Sequence, residues 1–127
     1  MENLENKNLT LELVDGILIA HYLCENIDLE IAKSIVHYRL QRFGYKDFPA
    51  LIHAGNVKQV TKDARKYFAT DESCQKINVC AIIAKSTLTT IIVNFILQIH
   101  KPPIHTKLFT DEKTANEWLL KNKLINV

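Results

Sequence analysis

Segments with strand-like and helix-like patterning alternate along this sequence in the order ββαβαβαβα, which predicts an α/β fold with a mixed sheet of about five strands and four helices. Three observations carry the prediction. The chain opens with a period-two hairpin, short apolar runs suited to central strands recur after it, and the segments between those runs repeat apolar residues at three- and four-residue steps. Strands separated by helices of roughly 10 to 16 residues pair in parallel through right-handed crossovers, so the hairpin supplies the antiparallel pair.

Leu9-Thr10-Leu11-Glu12-Leu13 alternates apolar with polar, Val14-Asp15-Gly16 gives a turn, and Ile17 to Tyr22 resumes β-rich character. Asp28 fits a helix N-cap, and Leu29, Ala32, Val36, Leu40 and Phe43 follow at helical steps until Gly44 stops the helix. Ile31, Ile35 and Tyr38 widen the apolar arc of this first helix to nearly half its circumference, for which deep burial is the simplest reason. Phe48 to His53, entered through Pro49 and closed by Gly55-Asn56, reads as a short central strand. Thr61 caps a second helix that turns Ala64, Tyr67 and Phe68 inward and Lys62, Arg65 and Lys66 outward, ending near Thr70-Asp71. Ile77 to Ala84 is long enough for another central strand. Ser86 to His100 is rich in β-branched residues, yet Leu88, Ile91, Ile92, Phe95 and Ile99 fall on one helical face, which predicts a third helix with that face against the sheet. Pro102-Pro103 end it, Thr106 to Phe109 form the last strand, and Thr110-Asp111-Glu112 open a C-terminal helix with Ala115, Trp118, Leu119 and Asn122 on one face.

The 127 residues amount to one domain, because cores usually divide only beyond about 250 residues. With 47% hydrophobic and 24% charged residues and only 3 Gly and 3 Pro, the chain has the composition of a folded domain. A formal charge of +2 lacks the basic excess of a nucleic-acid binder. Met1 to Asn8 has neither the basic nor the apolar region of a secretory signal, and Leu88 to Ile99 is too short and too polar-interrupted to cross a bilayer, so a cytoplasmic location without membrane insertion is expected. Cys24, Cys74 and Cys80 are odd in number and form no CxxC pair, which fits reduced thiols.

Catalytic and ligand signatures are sparse. His100 and His105 with Cys74 or Cys80 match no standard zinc spacing, and Gly16, Gly44 and Gly55 form no phosphate-cradling loop, so neither a metal nor a cofactor is expected. Cys24 with His21 or His53 would be needed for a thiol nucleophile and its base, and sequence proximity alone does not make such a dyad. Lys58, Lys62 and Lys66 recur every four residues beside Arg65, but Asp63 and Asp71-Glu72 dilute the patch toward an ordinary solvated face. If the third helix faces the sheet as described, Val93 and Leu97 point outward, which nominates them as an interface with a second copy or another protein.

The run Leu11 to Leu18, the Ala32-Lys33 helix, Phe48-Pro49, Thr61 to Arg65, and Leu108-Phe109-Thr110-Asp111 followed by Ala115 and Trp118-Leu119 together resemble small bacterial STAS-like proteins over nearly the whole chain. The likeness is to a stand-alone branch typical of Bacteroidota. It implies a non-enzymatic regulatory domain like the anti-sigma-factor antagonists, with a kinase-like or sigma-regulatory protein as partner. In such relatives a Ser or Thr preceded by Asp, at the start of the second helix, is phosphorylated. Here that place is Thr61, preceded by Val60 and followed by Lys62 where the family has Ser or Gly. The resemblance therefore nominates Lys58, Thr61, Lys62 and Arg65 as a partner-binding or phospho-acceptor region. The alternative reading is a small-ligand or lipid carrier, which predicts a cavity lined by Ile31, Ile35 and Tyr38.

Overall fold

The computed structural model describes residues 6–125, with side chains described as far as residue 122; residues 1–5, part of the segment read above for a signal, lie outside it. Its elements are β1 (Leu9–Val14), β2 (Ile17–Tyr22), β3 (Asn26–Ile27), α1 (Leu29–Phe43), β4 (Phe48–His53), β5 (Gln59–Val60), α2 (Lys62–Phe68), a 3-10 turn (Glu72–Cys74), β6 (Ile77–Ile83), α3 (Thr87–Ile99), β7 (His105–Phe109) and α4 (Glu112–Ile125). A five-stranded sheet runs β1-β2-β4-β6-β7. Only β1 is antiparallel to its neighbour. The hairpin turn has Asp15 at φ 51° and Gly16 at φ 80°. Two successive left-handed residues give the turn whose twist matches that of the flanking strands.

From β2 onward the chain crosses the sheet in one direction, so right-handed crossovers place α1, α2 and α3 on one side of it. α4 follows the last strand and covers the opposite face, where Ala115 and Leu119 pack on Ile17, Leu51, Val79, Ala81 and Ile83. The wide apolar arc of α1 meets two partners. Ile35 and Tyr38 pack on Leu9, Leu11, Leu18 and Ala20 of the hairpin, while Ala32 and Val36 pack on Val57, Val60, Ala64 and Tyr67. α2 thus rests on α1, beyond the first layer, held by a small parallel ribbon in which β3 pairs with β5. Those strands have two residues each, too few to show a periodic pattern in the sequence.

α3 is where the structure corrects the sequence reading. The helix forms, but it is turned by about one residue step, or ~100°. Thr89 and Val93 are buried, with Ile92, Ile96 and Leu97 half-buried beside them, whereas Leu88, Ile91, Phe95 and Ile99 are 46–61% exposed. Val93 and Leu97 therefore belong to the inner face, against Ala54, Ala84, Ile82 and Leu108, and they are not an outward interface. A polar anchor sets the rotation. Ser86 caps the helix by accepting the Thr89 backbone N–H at 3.1 Å, and the buried Thr89 hydroxyl donates to the Val57 carbonyl at 2.8 Å. Turning Leu88 and Ile91 inward would break that bond and leave a buried carbonyl without it.

Candidate functional site

Two places in the fold gather the groups of interest, one on the surface and one inside. On the surface, Thr61 is the exposed N-cap of α2, accepting the Ala64 N–H at 3.3 Å. Lys58 and Lys62 are also exposed, and the Lys58 ammonium lies 3.6 Å from Glu25. Arg65 is half-buried. Its guanidinium donates to the Val60 carbonyl at 2.7 Å and lies 5.3 Å above the centre of the Phe95 ring. That contact joins the basic start of α2 to the outer face of α3. Arg65 thus reaches a stripe made by Leu88, Ile91, Phe95 and Ile99, which recur at helical steps along α3, while Lys58, Thr61 and Lys62 are exposed at the start of α2 and in the segment that leads into it. The sequence held the right residues but assigned them to the wrong side, because α3 carries large apolar side chains on both of two overlapping arcs that share Ile92.

Inside, a cavity of about 160 Å³ separates the sheet from α1 and α3. Aliphatic side chains from β1, β2, β4 and β6 line it, among them Leu11, Leu18, Ala50 and Ile82, with Thr106 from β7 and with Val93 and Ile96 of α3 overhead. The sequence expected Ile31, Ile35 and Tyr38 at such a site; only Ile35 reaches it. Ile31 and Tyr38 are taken up by packing, and the Tyr38 hydroxyl accepts from Arg42 at 2.9 Å.

Sequence patterning missed the polar group in this cavity. Arg39 is 7% exposed, and its guanidinium donates to the Ser73 carbonyl at 2.8 Å and the Gln75 carbonyl at 2.9 Å. No carboxylate among the described residues pairs with it. Burial holds its pKa below the ordinary arginine value, and burial drives the neighbouring Tyr22 hydroxyl well above the ordinary tyrosine range. Cys80, also on the cavity wall, is pushed up to about 12 by burial. A single arginine on an otherwise apolar helix face was the available signal, since charged residues are seldom buried without a partner.

The remaining candidates disperse. His21 and His53 pair across β2 and β4 with rings stacked 4.2 Å apart, and Nε2 of His53 lies 3.0 Å from Glu112 at the start of α4. Cys24 packs instead with the clusters around α1, and no hydrogen bond joins it to either ring. Burial raises its thiol pKa, the opposite of what an activated nucleophile needs. His100 closes α3 beside the cavity, while His105 lies edge-on to Trp118 at 5.0 Å. Among the described residues no three His, Cys, Asp or Glu side chains are placed to hold a metal ion. No helix among them is long and apolar enough to cross a membrane.

A mixed five-stranded sheet with three helices on one side and one on the other defines the class: this is a SpoIIAA-like, STAS-like fold, as the sequence resemblance implied. It matches the crystal structure of an uncharacterized protein with a SpoIIAA-like fold, from the DUF3478 family of Shewanella loihica PV-4. The TM-score is 0.62 at 15% identity, covering 87% of this chain and 91% of that one. The chain itself belongs to the DUF7793 family, a domain of unknown function, whose model matches residues 11–123. No curated protein matches it.

Proposed function

We propose that this domain acts by binding a partner protein, through one continuous surface made by the start of α2 and the outer face of α3. The observation that carries the reading is the exposed stripe Leu88, Ile91, Phe95 and Ile99, joined to the start of α2 by the Arg65 contact with Phe95. Four large apolar side chains in one row form a patch of the kind that marks interaction surfaces. Lys62 and Lys66 are exposed on the same helix as Arg65, which favours a partner that carries carboxylates next to its apolar contact. A kinase-like or sigma-regulatory protein, the partner implied by the STAS-like resemblance, would meet Thr61 at the edge of this surface. A phosphate there would sit by the free amides of a helix start, where negative charge is favoured.

The test is affinity capture from the native cell with wild-type protein, Ile91→Ser/Phe95→Ser, Lys62→Glu, Thr61→Ala and Thr61→Glu, each checked for an unchanged circular dichroism spectrum. The reading expects a partner retained by wild type, lost by the double serine variant and weakened by Lys62→Glu. A partner lost with Thr61→Glu but kept with Thr61→Ala would add regulation by phosphorylation. Capture indifferent to the double serine variant overturns the surface. Sedimentation of the purified protein distinguishes a second copy from another partner, because self-association that disappears in the double serine variant makes the stripe a homodimer interface.

A further inference from the structure

We propose that the internal cavity is a binding site for a straight-chain carboxylic acid of about six or seven carbons, with its carboxylate held by Arg39 and its chain between the sheet and α3. A buried cation is ordinarily paired, because removing it from water is costly unless an anion or a full set of acceptors compensates. Arg39 is 93% buried by its 7% exposure, yet its acceptors are two backbone carbonyls, those of Ser73 and Gln75. A guanidinium has five N–H donors, so three of its N–H groups have no acceptor among the described residues. Tyr22 stands close enough to feel the charge, lines the same cavity, and makes no hydrogen bond among the described residues through its hydroxyl. The polar end of the cavity thus offers unused donors to an anion, and a carboxylate matches a guanidinium fork in shape and charge.

The rest of the cavity fixes the remainder of the ligand. Its walls are mostly aliphatic; toward α3 and β7 the polar side chains are His100 and Thr106, whose hydroxyl donates to the Ile104 carbonyl. At about 30 Å³ for each water-sized group, 160 Å³ holds on the order of five or six chain carbons beyond the carboxylate at Arg39, which corresponds to an acid of about six or seven carbons and not to a long lipid. The lining draws on β1 at one edge of the sheet and on β7 at the other, a span of roughly 19 Å at the usual strand spacing. Space drawn out along that direction suits a flexible chain better than a ring. The carboxylate also accounts for a feature that a purely structural role leaves open: a stapling side chain needs only to bridge Ser73 and Gln75, and that does not require it to line an apolar cavity.

The site is independent of the α2–α3 surface, so its test is separate. Calorimetric titration of the full chain with hexanoate, heptanoate and the neutral isostere hexanol reads both chain and charge. Hexanoate is expected to bind at least tenfold more tightly than hexanol. Arg39→Gln is expected to reduce hexanoate affinity to the hexanol level while leaving hexanol unchanged, a difference that a merely structural arginine would not produce. Should Arg39→Gln fail to fold, Val93→Phe fills the cavity from α3 and should abolish hexanoate binding in a chain with a native spectrum. Equal affinity for hexanoate and hexanol, hexanoate binding that survives Val93→Phe, or no binding of either acid at millimolar concentration overturns the proposal.

Discussion

The rotation of α3 can be tested by placing the same polar side chain on its two faces. Val93→Asn and Ile91→Asn differ little in helix propensity, so the difference between them reports burial. Val93 is 8% exposed; losing its buried surface costs about 1.5–2 kcal/mol, and an amide without partners adds about 1–3 kcal/mol. The sum is about 2.5–5 kcal/mol. Ile91 is 60% exposed, so less than half of its burial is at stake and no amide is trapped, which gives about 1 kcal/mol. For a domain of this size each kcal/mol moves the melting temperature by about 3–5 °C. The expected shifts are therefore about 8–25 °C for Val93→Asn and about 4 °C for Ile91→Asn. Thermal and urea unfolding followed by circular dichroism measure both. If Ile91→Asn proves the more damaging, the stripe faces the sheet, Thr89 does not anchor the helix, and the proposed docking surface is lost.

Three further outcomes follow from the packing and the charges. Gly55 adopts φ +60°, and a Cβ there would stand 2.5 Å from the Tyr22 carbonyl oxygen, so Gly55→Ala should cost more than about 1 kcal/mol in urea unfolding; a neutral result would refute the close approach. Asp111 accepts the backbone N–H and hydroxyl of Thr114, and the backbone bond above all holds its carboxyl below the ordinary aspartate range. A depressed folded pKa contributes stability that is present above the unfolded value and lost as pH falls through the folded one, so Asp111→Asn should flatten the acid limb of the stability curve below the ordinary aspartate range, and an unchanged limb would refute the cap. Cys80, buried in β6 with its pKa near 12, should resist iodoacetamide at pH 8 until the protein unfolds, as peptide mapping of the native and urea-treated chain would show. Rapid native labelling of Cys80 would place it at an opening.

The difference between reading an element and orienting it recurs through the molecule. Caps at Asp28 and Thr61 were read from the sequence, and each accepts a backbone N–H three residues on; Ser86 does the same for α3. The 3-10 turn at Glu72–Cys74 and the β3–β5 ribbon have none, because they are too short to repeat. The face that α4 buries was legible since Ala115 and Leu119 stand among polar neighbours on its wheel. The face of α3 was not, because two overlapping arcs of its wheel carry large apolar residues and the side chain that anchors it inward is a threonine.

By itself the sequence determined the order of the five long strands and four helices and hence the main sheet, since these follow from local periodicity, capping and chain direction. The tertiary structure decided the rotation of α3, the burial of Arg39 against Ser73 and Gln75, and the cavity they enclose. Each of these depends on which groups from distant segments meet, and the energy that selects among nearly equivalent apolar faces is a few specific contacts such as that of Thr89 with Val57. Periodicity places a side chain on an element, but only the neighbours across the core determine whether that side chain meets water, a carbonyl or empty space.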